Sequence, residues 1–537
     1  MTLGFTGGRF CNTRVGRRAE SNEKEVTFPC KIPLPAGFEG QNVCAMKKIL
    51  TGICLVVLLG GCDKGFAGFY ADYEADVQGM RMDIDPEDPQ GDRFDEIVEN
   101  PFVKVSEEPQ STFSVDADGA AYAYFRRMVN MGWNVPAGAV RIEEYLNYFT
   151  FDYADPAGGE TLALNAETGP CPWNPEHRLL RLGLKGKTLS AKETPLANFV
   201  FLIDVSGSMD SDDKLPLLKS GLQSMLEKMD PEDQVSIVTY SGKAETLLRP
   251  TKVREGSKIS KAIKKLTASG CTNGGDALRD AYQLAKESYI EGGNNRIVMG
   301  TDGDFNVGVT STEALLELVE EGAKAGIYLT VCGFGSGNLN DSMMETISNH
   351  GNGTYEYIDS EDEMMKVFVH ERNRFVAVAN DTKVQLTFDS TTVDSYRLIG
   401  YENRMMANED FENDDKDAGE IGSGQTITAL YEIIPAEGAA TGLSCCTFDV
   451  RYKNALKESS NALSLDVKFG GNTLSGNLSF AAGLAALGLT LRDSQYKGTA
   501  SLAMSRELVE NALAFDPNGY RAQLLQLIRD VKLPEKE

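Results

Sequence analysis

Between residues 198 and 368 short apolar runs alternate with amphipathic stretches, and that order restricts the fold more than any other feature of the chain. Residues 198–203, 234–240, 296–301 and 327–334 are apolar runs of buried-strand length. Between them lie stretches with helical spacing, such as 215–229, where Leu218, Leu222, Met225, Leu226 and Met229 share one stripe. A strand that is apolar on both faces needs cover on both, and strands separated by helices return to the same edge and pair in parallel. The expectation is an α/β fold: a doubly wound, mostly parallel sheet with helices on both faces. Ligands of such sheets bind beyond the C-terminal ends of the strands.

On either side the pattern changes. Residues 384–388, 426–434, 447–452 and 463–469 alternate with period two, as antiparallel strands with one buried face do. Residues 162–184 alternate around Cys171-Pro172-Trp173-Asn174-Pro175 and suggest a hairpin or two short strands. Helical spacing occurs over 122–130 and 141–149, where Ile142, Tyr145, Leu146 and Phe149 fall on one face, and again over 520–531. Residues 478–491 are apolar on nearly every side, a core helix too short to span a bilayer. Neither group of strands alone has enough apolar strands for a stable sandwich. The two groups are therefore expected to pair, making the α/β domain an insertion into a β-rich domain with C-terminal helices. The boundaries read as an N-terminal α+β flank 99–195, an α/β domain 196–372 and a C-terminal β-rich flank 373–537.

Charge narrows the partners. With 53 Lys and Arg against 79 Asp and Glu in 537 residues, the net charge is −26, which repels phosphate backbones. Nucleic acid is excluded as a partner. Only His177, His350 and His370 occur, far apart, so a bound metal is expected to use oxygen ligands. The cysteines show no CxxC spacing; Cys171, Cys271 and Cys332 read as buried thiols, and one disulfide at Cys445 or Cys446 is left open.

The N-terminal region carries an address. Met46-Lys47-Lys48 precedes a mostly apolar run over 49–59 and then Leu59-Gly60-Gly61-Cys62, the layout of a signal peptide over 46–61. The small residues before Cys62 resemble the bacterial lipobox, which implies cleavage before Cys62 and its acylation. Residues 1–45, with four arginines and no hydrophobic period, are expected to be an upstream over-translation, with Met46 as the start. Residues 62–98 are acidic and rich in Asp, Gly and Pro, and read as a flexible tether. The expected location is the bacterial cell envelope, lipid-anchored on the periplasmic face or the cell surface, with the outer membrane favoured.

Three strand-end loops of the α/β region carry the chemistry. Asp204-Val205-Ser206-Gly207-Ser208-Met209 offers a carboxylate and two hydroxyls at i, i+2 and i+4 that can converge on one hard cation. Ser269-Gly270-Cys271-Thr272-Asn273-Gly274-Gly275 offers a hydroxyl before a helix, and Gly300-Thr301-Asp302-Gly303-Asp304 offers a second carboxylate after a buried strand. Asp304 is read as a solvated loop acid or as a group that tunes the ion.

In these motifs the sequence resembles the von Willebrand factor type A domain with its metal-ion-dependent adhesion site, a Rossmann-like fold. The resemblance extends over roughly 99–537, through Asn100-Pro101-Phe102, Cys171-Pro172-Trp173-Asn174-Pro175, Tyr396-Arg397-Leu398-Ile399-Gly400 and Ala418-Gly419-Glu420-Ile421-Gly422, to bacterial lipoproteins that flank such a domain with segments of their own. It implies Mg²⁺, with Mn²⁺ or Ca²⁺ as alternatives, held directly by Ser206, Ser208 and Thr272, with Asp204 and Asp302 near it largely through water. Hydroxyl ligands leave the ion under-neutralised, so the expected partner is a protein offering an Asp or Glu carboxylate, in adhesion, as a scaffold or in assembly. The alternative is a metal-dependent hydrolase. That reading needs a positioned base, and the three loops contain no His and no Ser-His or Cys-His pairing. A non-enzymatic, lipid-anchored binding protein is the expectation.

Membrane fractionation tests the anchor. Wild type should partition with membranes and Cys62→Ala should be soluble; equal partitioning of the two would contradict acylation at Cys62.

Overall fold

The computed structural model describes residues 91–270, 275–303, 312–456 and 458–534. Residues 1–61, Cys62 and most of the expected tether lie outside the described residues. Along the chain, the N-terminal flank contains the strands Val103–Lys104 (β1) and Gln110–Ser114 (β2), the helices Ala120–Met131 (α1) and Ile142–Asn147 (α2), and the hairpin Leu162–Pro170 (β3) and Arg178–Gly186 (β4). Glu144 of α2 accepts the Ala121 backbone N–H at 2.7 Å, satisfying one of the orphan donors at the start of α1.

The α/β region runs Ala197–Asp204 (β5), Leu215–Leu226 (α3), Gln234–Tyr240 (β6), Ala244–Lys252 (β7), Gly256–Lys265 (α4), Gly275–Glu287 (α5) and Asn294–Thr301 (β8). It continues with Thr312–Lys324 (α6), Ile327–Phe334 (β9), Asp341–His350 (α7), Tyr355–Ile358 (β10) and Glu361–Met365 (α8). Its sheet has the order β10-β9-β8-β5-β6-β7 and is parallel except for β7. Every residue of β5 and β8, at its centre, is buried, which is why both read as continuous apolar runs. Strand β7, with sequence AETLLRPTK, is the antiparallel edge and escapes the apolar pattern because much of it faces solvent; its Pro250 is tolerated at an edge.

The C-terminal flank supplies Ala377–Phe388 (β11), Val393–Ile399 (β12), Met405–Met406 (β13), Ile421–Gly422 (β14), Thr426–Pro435 (β15), Ser444–Lys453 (β16) and Asn461–Lys468 (β17). Helices Gly476–Leu491 (α9), Leu502–Glu510 (α10) and Tyr520–Asp530 (α11) close the chain. Two further sheets form, β1-β12-β15-β4-β3 and β13-β2-β11-β16-β17, each built from both flanks. Strand β4 pairs antiparallel with β15 from Leu184↔Ile427 to Leu180↔Tyr431, and β2 pairs with β11 through Phe113↔Val384. The α/β domain is thus inserted into a β-rich domain, as the strand arithmetic requires. Phe113, Leu180, Leu182, Leu386, Tyr431 and Phe448 belong to one core cluster drawn from both sheets.

Helix α9 is buried on nearly every side and packs on α10 and α2. Its glycines permit that closeness: a Cβ at Gly488 would lie 2.5 Å from Ile142 and one at Gly483 would lie 2.9 Å from Val509. Among the described residues no helix is long and apolar enough to cross a membrane.

One expectation needs correction, and one open question is answered. The tether does not extend to 98, because Asp92 Oδ1 accepts the backbone N–H groups of Gly337 and Leu339 at 2.7 and 2.9 Å and Oδ2 accepts the Tyr124 hydroxyl at 3.0 Å. These partners lie in distant parts of the chain, so no local pattern announces the docking. The disulfide left open is also absent: Cys445 and Cys446 are buried free thiols, as are Cys171 and Cys332, and the Cys445 thiol donates to the Val467 carbonyl at 3.2 Å.

The turn between Ser190 and Glu193 is exposed and lies in the connection from β4 to β5. Cleavage engineered there should leave the two fragments co-eluting in native buffer and separating only in denaturant, because β4 stays paired with β15. Separation without denaturant would contradict the shared sheets.

Candidate metal centre

The sheet itself brings two carboxylates together. β5 and β8 are neighbours in parallel register, Ile203 opposite Gly300, so Asp204 ends one strand and Asp302 follows directly on the end of the next. Both side chains are almost fully buried, at 0% and 1% exposure. Asp204 Oδ1 accepts the Ser206 backbone N–H at 2.7 Å, an Asx-type turn that folds the loop back over the strand end. The turn sets the Ser206 and Ser208 hydroxyl oxygens 2.9 Å apart.

The neighbouring loop is tied to this turn through backbone groups. Gly207 N–H donates to Gly270 O at 3.1 Å and Ser269 N–H to Val205 O at 2.7 Å. Residues 269 and 270 therefore lie against the Ser206–Gly207 backbone. Thr272 itself, with Cys271 and Asp304, lies outside the described residues. Asp304 accordingly remains between its two readings.

Two residues of the site carry no motif signal. Lys214, in the turn before α3, donates from Nζ to Asp302 Oδ2 at 2.9 Å and to Ser208 O at 3.0 Å. It is a buried ammonium joining the two strand-end loops, and its only hint in the sequence is a lysine between an acidic loop and an apolar helix. Tyr240 stands opposite Asp204 in the β5–β6 register. Burial, with the charges of Asp204 and Asp302 adding, holds its phenol well above the ordinary value, so it is neutral at physiological pH.

The Asp302 loop is braced from behind. Gly303 has φ +94°, and a Cβ there would lie 2.6 Å from Asn338 O, Asn340 N and Leu339 Cα. Only glycine permits the 338–340 backbone to lie so close behind Asp302. That same backbone receives the Asp92 carboxylate and pairs with Arg93.

The donor set suits a hard cation. Ser206 and Ser208 offer oxygens only, and Asp302 Oδ1 is buried without a hydrogen-bond partner among the described residues. Of the residues singled out in the sequence, Asp204, Ser206, Ser208 and Asp302 are brought to one sheet end; the placement of Thr272 and Cys62 is not described.

Three segments of the chain match known families. The profile described as von Willebrand factor type A domain matches residues 199–304, that described as von Willebrand factor matches 88–181, and that described as Uncharacterized protein YfbK, C-terminal, matches 373–533. The Uncharacterized protein YfbK of Escherichia coli (strain K12) is 36% identical over 462 residues, covering 81% of this chain and 80% of that one. The chain belongs to the YfbK family. Its β-rich C-terminal flank is the family's own C-terminal region, and its α/β domain is of the von Willebrand factor A type, a class that generally mediates protein interactions. The inter-alpha-trypsin inhibitor heavy chain H3 of Bos taurus is 33% identical over 172 residues, covering 30% of this chain and 19% of that protein. A solved von Willebrand factor type A structure from Catenulispora acidiphila matches with a TM-score of 0.41 at 14% identity, over 71% of this chain and 91% of its own.

The Lys214–Asp302 pair has a measurable consequence. In chelator, Lys214→Met should destabilise the protein by about 3–5 kcal/mol, because it leaves a buried carboxylate without its counter-charge. Adding Asp302→Asn should restore most of that loss. Denaturant unfolding of the two variants checks this, and a loss below about 1 kcal/mol for the single variant would contradict a compensating role.

Proposed function

We propose that this protein is a lipid-anchored component of the bacterial cell envelope whose α/β domain binds a protein partner through Mg²⁺. Ser206, Ser208 and Thr272 hold the ion directly, with Asp204 and Asp302 close to it largely through water, and Mn²⁺ or Ca²⁺ can replace it. Cys62 carries the acyl anchor, on the periplasmic face or the cell surface. The role is adhesion, scaffolding or assembly rather than catalysis.

The observation that carries the partner's chemistry is the Lys214 ammonium 2.9 Å from Asp302. Of the two site carboxylates, one is already offset by a fixed positive charge. The hydroxyls of Ser206 and Ser208 contribute none. A divalent ion at this position supplies a Lewis-acidic centre that keeps a net positive charge, which an Asp or Glu side chain of the partner completes.

The chain's own residues do the rest. The Asp204 turn orients the two hydroxyls, Tyr240 supplies a neutral wall behind the carboxylates, and Gly303 with the 338–340 backbone keeps Asp302 from swinging out. Two of the three histidines are engaged elsewhere: His177 Nδ1 lies 2.6 Å from Glu432 in the β-rich domain, and His350 Nδ1, at the C-terminal end of α7, lies 2.9 Å from Glu320 on α6. Such a site favours binding over hydrolysis.

Calorimetry with Mg²⁺ tests this reading. Wild type should give a saturable heat, Asp204→Ala should give none while its circular dichroism is unchanged, and Ser208→Ala should bind about tenfold more weakly, which corresponds to about 1.4 kcal/mol. Equal Mg²⁺ responses from well-folded wild type and Asp204→Ala would overturn the site.

A further inference from the structure

A second group of carboxylates lies where the inserted domain meets its host. Asp116 follows β2 in the β-rich domain, Glu144 is on α2, and Glu345 is on α7 of the α/β domain. One oxygen of each lies within 4.8 Å of the others, and all three residues are buried. Asp118, Glu143 and Asp341 are buried beside them, whereas among the described residues only Arg141 and Arg404 pair with the group. Arg492, the next base, is engaged by Glu402 and Glu99. Six carboxylates crowd this region with two paired guanidinium groups, so without a further cation burial drives several of them toward the protonated form.

The polar groups around the cluster are also incompletely used. Tyr355 is fully buried, its hydroxyl has no hydrogen-bond partner among the described residues, and the charged groups acting on it are Asp341, Arg141 and Glu144. Glu143 Oε2 is likewise buried and unpartnered among the described residues, and Glu143 lines a cavity with Arg141, Asp341 and Glu345. The bonds that Arg404 and the Asp118 N–H donate to Asp116, Arg141 and the Ala121 N–H to Glu144, and the Asn403 side-chain amide to Glu345 leave those carboxylates with acceptor capacity.

We propose that Asp116, Glu144 and Glu345 bind a hard divalent cation of the calcium class, which clamps the inserted α/β domain to the β-rich domain. Ca²⁺, with bonds of about 2.4 Å, reaches across oxygens up to about 4.8 Å apart and accepts irregular carboxylate geometry. Mg²⁺ spans only about 4.2 Å and demands an octahedron. Water in the adjoining cavity completes the shell. The ion joins three elements that no continuous strand connects, and it is separate from the Asp204 centre. The inference does not rest on the adhesion reading.

The test uses the full chain carrying Asp204→Ala, which silences the first site, stripped with chelator and titrated with Ca²⁺. The thermal midpoint should rise by about 3 °C at a free Ca²⁺ one hundred times Kd. Tb³⁺, a calcium-sized probe, should luminesce on excitation of tyrosine, since Tyr355 and Tyr145 lie beside the cluster, and Ca²⁺ should quench that signal by displacement. Glu345→Gln, checked by circular dichroism, should lose both responses. A protein with neither a Ca²⁺-dependent shift nor Tb³⁺ emission would overturn the proposal whether or not the Glu345 variant folds. Responses that survive in a folded Glu345→Gln, or that Mg²⁺ alone elicits, would overturn it equally.

Discussion

The antiparallel pairing of β4 with β15 is the contact on which the rest of the architecture depends. It joins residues on opposite sides of the α/β domain, from Lys185 opposite Thr426 to Arg178 opposite Ile433, and so brings strands of both flanks into one five-stranded sheet. Without it, Leu180, Leu182 and Tyr431 would have no common core. Because the two ends of the inserted domain leave from the same body, it has two connections to its host, and closing one loop costs entropy that is offset by burial on both sheets. The orientation of the domain is then refined by polar contacts at the junction, including Arg126 with Asp359 and Glu363 and Arg404 with Asn349.

Within the inserted domain the parallel sheet decides where chemistry can occur. Adjacent strands that end at the same level present their last side chains to one crevice, so Asp204 and Asp302 become neighbours though they are far apart in the chain. Bare, two buried carboxylates there would repel one another; Lys214 offsets one of them and fixes it in place. The same ammonium holds the Ser208 carbonyl, so the loop geometry and the charge balance are set by a single side chain. The N-terminal segment reaches this machinery indirectly, since Asp92 holds the 337–339 backbone and the 338–340 backbone rests on Gly303.

Much of this is legible in the amino-acid sequence. Strands buried on both faces declare themselves as apolar runs, and β6 and β9 have the boundaries those runs suggest. The DxSxS loop and the Asp302 loop were recognisable because each follows such a strand directly. What escaped has a physical reason in each case. Strand β7 is an exposed edge with no apolar period. Lys214 and Tyr240 act through tertiary neighbours, and their positions carry no spacing that marks them. The docking of Asp92 and the cluster of Asp116, Glu144 and Glu345 depend on contacts between segments more than 200 residues apart, which propensity and periodicity cannot register.

The central claim is that the crevice at the ends of β5 and β8 holds a divalent ion between the Ser206 and Ser208 hydroxyls and Asp302, with room for a foreign carboxylate. A crystal grown with Mn²⁺ in place of Mg²⁺, with data collected at the manganese absorption edge, locates the ion without reference to any model of its ligands. An anomalous peak is expected about 2.2 Å from both serine hydroxyl oxygens, on the Asp302 Oδ1 side of the crevice. A crevice with no peak at saturating Mn²⁺, or a peak displaced from both serines, would contradict it.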